Sequence, residues 1–327
     1  MKMKKIVAAL GTAVALASVT QVAQADSLLF PVYKVGNGVF SFLSINTIPG
    51  ATGAPNALHY VWNAKVPDAN GVIKNSDPCI HEDAPGKMTA FDLIQQTVES
   101  PTLGGGNLLN LQTVFGDTSN PAYTLVAPAL GFMTVTNNSP FESDFFGQMV
   151  LVDAASGVVT AYKGVNNPAS IVEGNFASIV SSKTIFNTTW YPTTEAGSSL
   201  GAAGIDTSWY ATITGVGMEL PIWQPVASFQ NILPSTNVFN RDEGPRSGLK
   251  SSSVTCFGLL KRTDFMTAAQ ATHTANGGIE YVGYTPVATP LGTTQTGALL
   301  TKLETTTALG ARKTFISSEN AFPNLPY

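Results

Sequence analysis

From Ser27 onward the chain runs as short apolar stretches with alternating polar positions, broken by clusters of Gly, Pro, Asn and Asp. Alternation with a period of two predicts β-strands, and the clusters predict turns. The opening is the clearest case. Leu28–Tyr33, Val39–Ile45 and Leu58–Trp62 read as three strands, and Gly36-Asn37-Gly38 between the first two suits a hairpin turn because Asn-Gly readily adopts positive φ. In the second strand Phe40, Phe42 and Ser44 share one face, while Val39, Leu43 and Ile45 share the other. Apolar groups on both faces predict that this strand is covered on both sides.

The same pattern predicts strands across Leu108–Thr113, Tyr123–Val126 and Gly131–Thr136, and a second hairpin from Phe145–Val152 through Asp153–Gly157 to Val158–Tyr162. Later candidates are Phe176–Val180, Thr184–Tyr191, Trp209–Val216, Val254–Leu260 and Ile279–Tyr284. Three short helices are expected. One starts at Thr89 with Asp92 at capping-box spacing, placing Phe91, Ile94 and Val98 on one side. One opens at Gln224-Pro225 and reaches Phe229, and one spans Thr263–Thr274 up to Gly277-Gly278. Residues 67–87 and 193–204 read as polar loops, and Gly297–Leu309 fits strand or helix equally. The expected fold is mostly β, with antiparallel β-sandwich-like sheets and a few short helices. No fixed-period repeat and no compositional break divides the chain. Residues 26–327 therefore read as a single domain, with two packed sub-domains as the variant.

Composition adds export to this picture. Lys2, Lys4 and Lys5, the apolar run Ile6–Val19 and Ala23-Gln24-Ala25 form a signal-peptide pattern over residues 1–25, with cleavage before Asp26. The apolar run is shorter than the ~20 residues of a membrane span, so no transmembrane helix is expected in the mature chain. Charged residues make up only 12% of the chain, against about 25% in ordinary soluble domains. Thr, Ser, Asn and Gly replace them, which weakens repulsion between copies and favours assembly. The net charge is −4, and loss of the three leader lysines takes it to −7, which excludes a nucleic-acid partner that needs basic patches.

The start Ser27-Leu28-Leu29-Phe30-Pro31, its turn, and Leu43-Ser44-Ile45-Asn46-Thr47 resemble the opening of uncharacterised secreted bacterial β-rich proteins. The resemblance spans the first strands only. It implies a secreted β-sandwich and no activity.

Candidate chemistry is sparse. Cys79 and Cys256, the only cysteines, are expected to form a disulfide in an exported protein. The acidic loop before and after Cys79 offers Asp68, Asn70, Asp77 and Asp83 as calcium ligands, with oxygen donors of the right kind, but the twelfth position of a loop counted from Asp68 is Cys79 and not an acid. Cys79, His81 and Asp83 form the rival transition-metal set. Gly197-Ser198-Ser199-Leu200-Gly201 matches a nucleophile elbow, but Pro192-Thr193-Thr194 before it is no buried strand. Paired carboxylates (Glu82/Asp83, Glu142/Asp144, Asp242/Glu243) and four tryptophans keep a carbohydrate-binding or carbohydrate-active protein in view. An outer-membrane β-barrel is the third alternative, opposed by Pro323 and Pro326 at the C-terminal end. The leading expectation is a non-catalytic structural or adhesive protein, exported to the periplasm, outer surface or extracellular space, whose partner is itself or a cell-surface polysaccharide. No cofactor is expected other than calcium.

Overall fold

A computed structural model of the chain describes residues 27–36, 38–47, 58–70, 72–86, 93–99, 108–113, 123–126, 129–137, 145–153, 158–166, 185–190, 205–215, 218, 224–231, 237–288, 296–306 and 313–318. The first half contributes β1 (Ser27–Val35), β2 (Val39–Thr47), β3 (Leu58–Lys65), β4 (Ile80–Gly86), β5 (Leu93–Glu99), β6 (Leu108–Thr113), β7 (Tyr123–Val126), β8 (Ala129–Asn137), β9 (Phe145–Asp153), β10 (Val158–Lys163) and β11 (Val165–Asn166). The second half contributes β12 (Ile185–Trp190), β13 (Ile205–Gly215), β14 (Val226–Asn231), β15 (Val238–Asn240), β16 (Pro245–Arg246), β17 (Ser251–Thr255), β18 (Phe257–Lys261), β19 (Gly278–Ala288), β20 (Thr296–Thr306) and β21 (Lys313–Ser318). One short helix, α1 (Ala268–His273), precedes β19.

These strands form four sheets, and every pairing described is antiparallel. Sheet I runs β11-β1-β8-β3-β4 and sheet II runs β10-β9-β2-β5-β6-β7. Sheet III runs β18-β13-β20-β21, and sheet IV runs β16-β15-β19-β14-β17 with β12 also on β19. Sheets I and II enclose a core that includes Phe30, Leu43, Ile45, Tyr60, Trp62 and Met149. Sheets III and IV enclose a second around Trp209, Phe229, Val254, Leu260, Phe265 and Val282. A third cluster joins the other faces of sheets I and III, with Leu29, Val32 and Phe132 against Tyr210, Phe257 and Leu299. The layers therefore stack in the order II, I, III, IV. The expected mostly-β, sandwich-like antiparallel fold is what the chain adopts.

Middle-layer strands must be apolar on both faces, and β1 is: only Lys34 among its nine residues is exposed. This overturns the expected hairpin between the first two strands. The turn carries the chain from sheet I to sheet II, with a single bridge from Gly36 to Val39 and Gly38 at φ 71°. Ser41 Oγ stands in for the ladder, accepting from Lys34 N at 3.1 Å and donating to Lys34 O at 3.0 Å. A second crossing splits the expected strand 254–260. Cys256, at φ 60°, separates β17 in sheet IV from β18 in sheet III.

The first two expected helices are also corrected. Of the first, Thr89, Phe91 and Asp92 lie outside the described residues, and Leu93–Glu99 is β5, paired in register with β2 through Ile94↔Ile45, with β-branched Ile94 filling the first core. The second is β14, in which Ala227 and Phe229 point into the second core. The third survives as a 3₁₀ turn at Arg262–Asp264 followed by α1, capped by Thr267, which accepts from Gln270 N, and followed by Gly277 at φ 96°. Ile80–Gly86, expected as loop, pairs with β3 as β4, and the ambiguous 297–309 stretch lies mostly in β20, the partner of β13 along its full length. The expected strand Phe176–Val180 and loop 193–204 lie outside the described residues.

Candidate functional site around the β3–β4 edge

The candidates around Cys79 lie along one edge of sheet I and the loop that joins β3 to β4. Alternation on β3 sends Leu58, Tyr60, Trp62 and Ala64 into the first core and sends His59, Val61, Asn63 and Lys65 to the opposite face. Asp83 lies opposite Val61, and His81 lies opposite Asn63. One polar ladder thus forms along the seam where sheets I and III meet.

Lys65 anchors it. Its side chain is 1% exposed, and Nζ donates to the carbonyls of Lys74 at 3.1 Å and Asn75 at 2.8 Å. Burial draws its pKa down to about 8, with Asp77 pulling the other way. Asn75 carries the connection into the second half of the chain. Its side chain donates to Leu259 O and accepts from Leu259 N, each at 3.0 Å, while its carbonyl also accepts from Thr255 N at 2.9 Å. The Cys79–Cys256 disulfide, with Cα atoms 6.2 Å apart, closes the same junction. Gln224 reads the backbone of Cys79 on both sides, accepting from its N at 2.8 Å and donating to its O at 2.7 Å. Nearby, Thr212 Oγ1 donates to Pro31 O at 2.9 Å and Asn63 Nδ2 to Met218 O at 3.3 Å.

The calcium candidates are distributed along this loop. Asp68 Oδ1 accepts from the backbone of Asn70 at 2.9 Å and Val72 at 3.0 Å, closing a turn, and these bonds hold its carboxyl below the usual range. Asn70 belongs to that turn. Asp77 Oδ2 accepts from Lys74 N at 3.0 Å and closes the next one. Asp83 stands on β4, 3.7 Å from His59 Nε2. Among the described residues no group of three or more His, Cys, Asp or Glu is placed to hold a metal ion.

His81 lies at the inner end of the ladder. Both ring nitrogens are buried without a hydrogen-bond partner, and burial lowers its pKa, opposed by Asp83 and assisted by His59. Glu82 and Asp83 are neighbours on a strand, so they project to opposite faces and cannot work as a facing pair. Asp242 and Glu243 sit in an exposed turn whose amides are capped by Asn240. His273 anchors α1 to that turn through Gly244 O at 2.7 Å. Trp62 and Trp209 are buried in the two cores rather than presented as stacking platforms. The Gly197–Gly201 match and the Glu142/Asp144 pair lie outside the described residues, as do Trp223 and the side chain of Trp190.

Lys65 was not a sequence candidate. Its signal was parity: it shares a face with His59, Val61 and Asn63 and ends an apolar strand, positions from which a lysine reaches back under the loop that follows. No protein-family model matches the chain, and no curated protein matches it.

Proposed function

We propose that the chain is an exported, non-catalytic protein of the cell surface or extracellular space, with a structural or adhesive role and itself or a surface polysaccharide as partner. One observation carries this reading. The polar groups of the Cys79 region are spent on structure: Asn75 and the disulfide join the two halves of the chain, and Lys65, Asp68 and Asp77 hold the loop that carries them. A site spent on fastening has little left to offer a substrate, and it suits a protein that must keep its shape outside the cell. The leader pattern at Lys2–Ala25 and the low charge support the same reading.

The test is to fractionate producing cells and to measure the mass of the purified chain by light scattering, with and without chelator. A surface-bound or extracellular assembly is expected. Loss of that assembly on chelation would assign the Asp68–Asp83 loop a calcium ion. Retention of the chain in the cytoplasm would overturn the reading.

A further inference from the structure

We propose that the outward face of sheet II is a docking surface for a second copy of this chain, sheet face against sheet face. The proposal rests on the structural reading above and names the surface that would serve it.

The register places three apolar side chains, Val159, Val152 and Phe40, in one cross-strand row, and Ala161, Val150 and Phe42 in the next. Their inward neighbours Leu43 and Met149 belong to the first core, so these rows point away from it. Val150 and Val152 are buried even on this outer side, flanked in register by Phe40 and Phe42, whose rings meet edge to face at 5.0 Å. Around this centre Val159 is 42% exposed, Phe146 46% and Leu93 50%. Large aliphatic and aromatic groups left in water on one flat surface mark an interaction site.

Two observations select a second copy as the occupant. The first is charge. On the described strands of this face the charged positions are Lys163, at the end of β10, and Glu99, at the end of β5 with the parity of Leu93, one of each sign, while the chain as a whole is net negative. Two copies approaching elsewhere meet like charge; here they do not. A strongly charged partner would find no run of opposite charge to pair with. The second is shape. The molecule already covers its other apolar sheet faces in this way, with Leu29, Val32 and Phe132 of sheet I against Tyr210, Phe257 and Leu299 of sheet III. The six strands of sheet II, four to nine residues long at about 3.3 Å per residue and about 4.8 Å apart, give a footprint of about 650 Å². With side chains standing on it, that approaches the ~800 Å² per partner of a stable interface. The contact would be isologous, each row meeting the same surface of its partner.

The experiment uses the chain from Asp26 to Tyr327, purified from the exported fraction, with mass followed by light scattering over about a hundred-fold dilution. A dimer is expected at the concentrated end. Val159→Glu combined with Phe146→Glu should weaken association at least about a hundred-fold, since two charges would lie in a dry interface. Ser253→Glu on sheet IV should leave the mass unchanged. Ala161→Arg provides a second, exposed probe if the double variant loses its near-ultraviolet circular dichroism. A wild-type chain that stays monomeric throughout overturns the proposal, as does a dimer indifferent to these changes. Wild-type monomer that floats with phosphatidylcholine vesicles would also overturn it, giving the face to lipid. Monomer at the cell surface would remove the docking face and spare the structural reading; a cytoplasmic dimer broken by Val159→Glu would do the reverse.

Discussion

Sheets II and IV hold equivalent places, each the outer leaf of a sandwich, yet their outward faces are built from different residues. On its β17–β14 side and the adjoining end of β19, sheet IV turns out Ser228, Gln230, Ser251, Ser253 and Thr285, with Val226 at one end; toward β15 the same parity places Phe239 and positions 279 and 281 on this face. Sheet II turns out Phe40, Phe42, Val150, Val152 and Val159. Both sheets bury an equally apolar inner face, so folding alone does not explain the contrast. A face of hydroxyls and amides satisfies water directly, whereas an aromatic and aliphatic face is satisfied only when covered. The seam between sheets I and III shows the covered case within the same chain, and it is fastened by the polar ladder of Lys65, Asn75 and Cys79 along one edge.

The value of covering can be measured where it already occurs. Phe257 stacks on Tyr210 at 5.8 Å and meets Phe132 at 6.2 Å in the seam. Phe257→Ala is expected to cost about 3–5 kcal/mol in denaturant unfolding, mostly as an unfilled cavity. A loss below about 1 kcal/mol would mean that the seam contributes little. Replacing Cys79 and Cys256 together by Ser should cost about 2–5 kcal/mol, read in the same way, because 177 residues separate them and the loop they close is long.

Two pH dependences probe the ladder that fastens the seam. Lys65 titrates near pH 8 in the folded chain and near 10.5 when unfolded. Between these values the unfolded state holds more protons, so stability should rise with pH across that window, and Lys65→Met should abolish the rise. His81 is lowered in the folded chain from 6.5, with His59 and Asp83 as the charged groups facing it. The unfolded state again binds the proton first, so stability should fall as pH drops below about 6.5. His81→Gln should flatten that limb; an unchanged limb would place the acid sensitivity elsewhere. The smallest effect is expected on sheet IV, where Ser253→Glu should change the unfolding free energy by no more than about 0.5 kcal/mol.

Much of this fold is legible in local pattern. The strand Tyr123–Val126 and the β9–β10 hairpin follow from alternation and from turn residues, signals that need no knowledge of distant partners. Layer membership is not legible in that way. β1 pairs with β8, about a hundred residues away, and the turn at Gly38 changes sheet instead of reversing within one. The capping-box spacing at Thr89 and Asp92 pointed to a helix because it weighs only neighbours, whereas the partner strand β2 decided the outcome. In the site, the disulfide followed from the cysteine count and the expectation of export, while Lys65 did not, because a lysine ending a strand ordinarily reaches solvent. Apolar groups on both faces of Val39–Ile45 predicted cover on both sides, but β2 lies in an outer layer: Leu43 and Ile45 meet the first core, while Phe40 and Phe42 are half-buried on the outward face.

The contrast between the two outer faces is tested most directly by hydroxyl-radical footprinting of the whole chain at low and high concentration. Phe40, Phe42 and Phe146 should lose reactivity as concentration rises, while exposed Leu249, between β16 and β17, should keep it. Equal reactivity of the three phenylalanines at both concentrations would contradict a covered sheet II, and the chain would then carry an apolar face that no second copy meets.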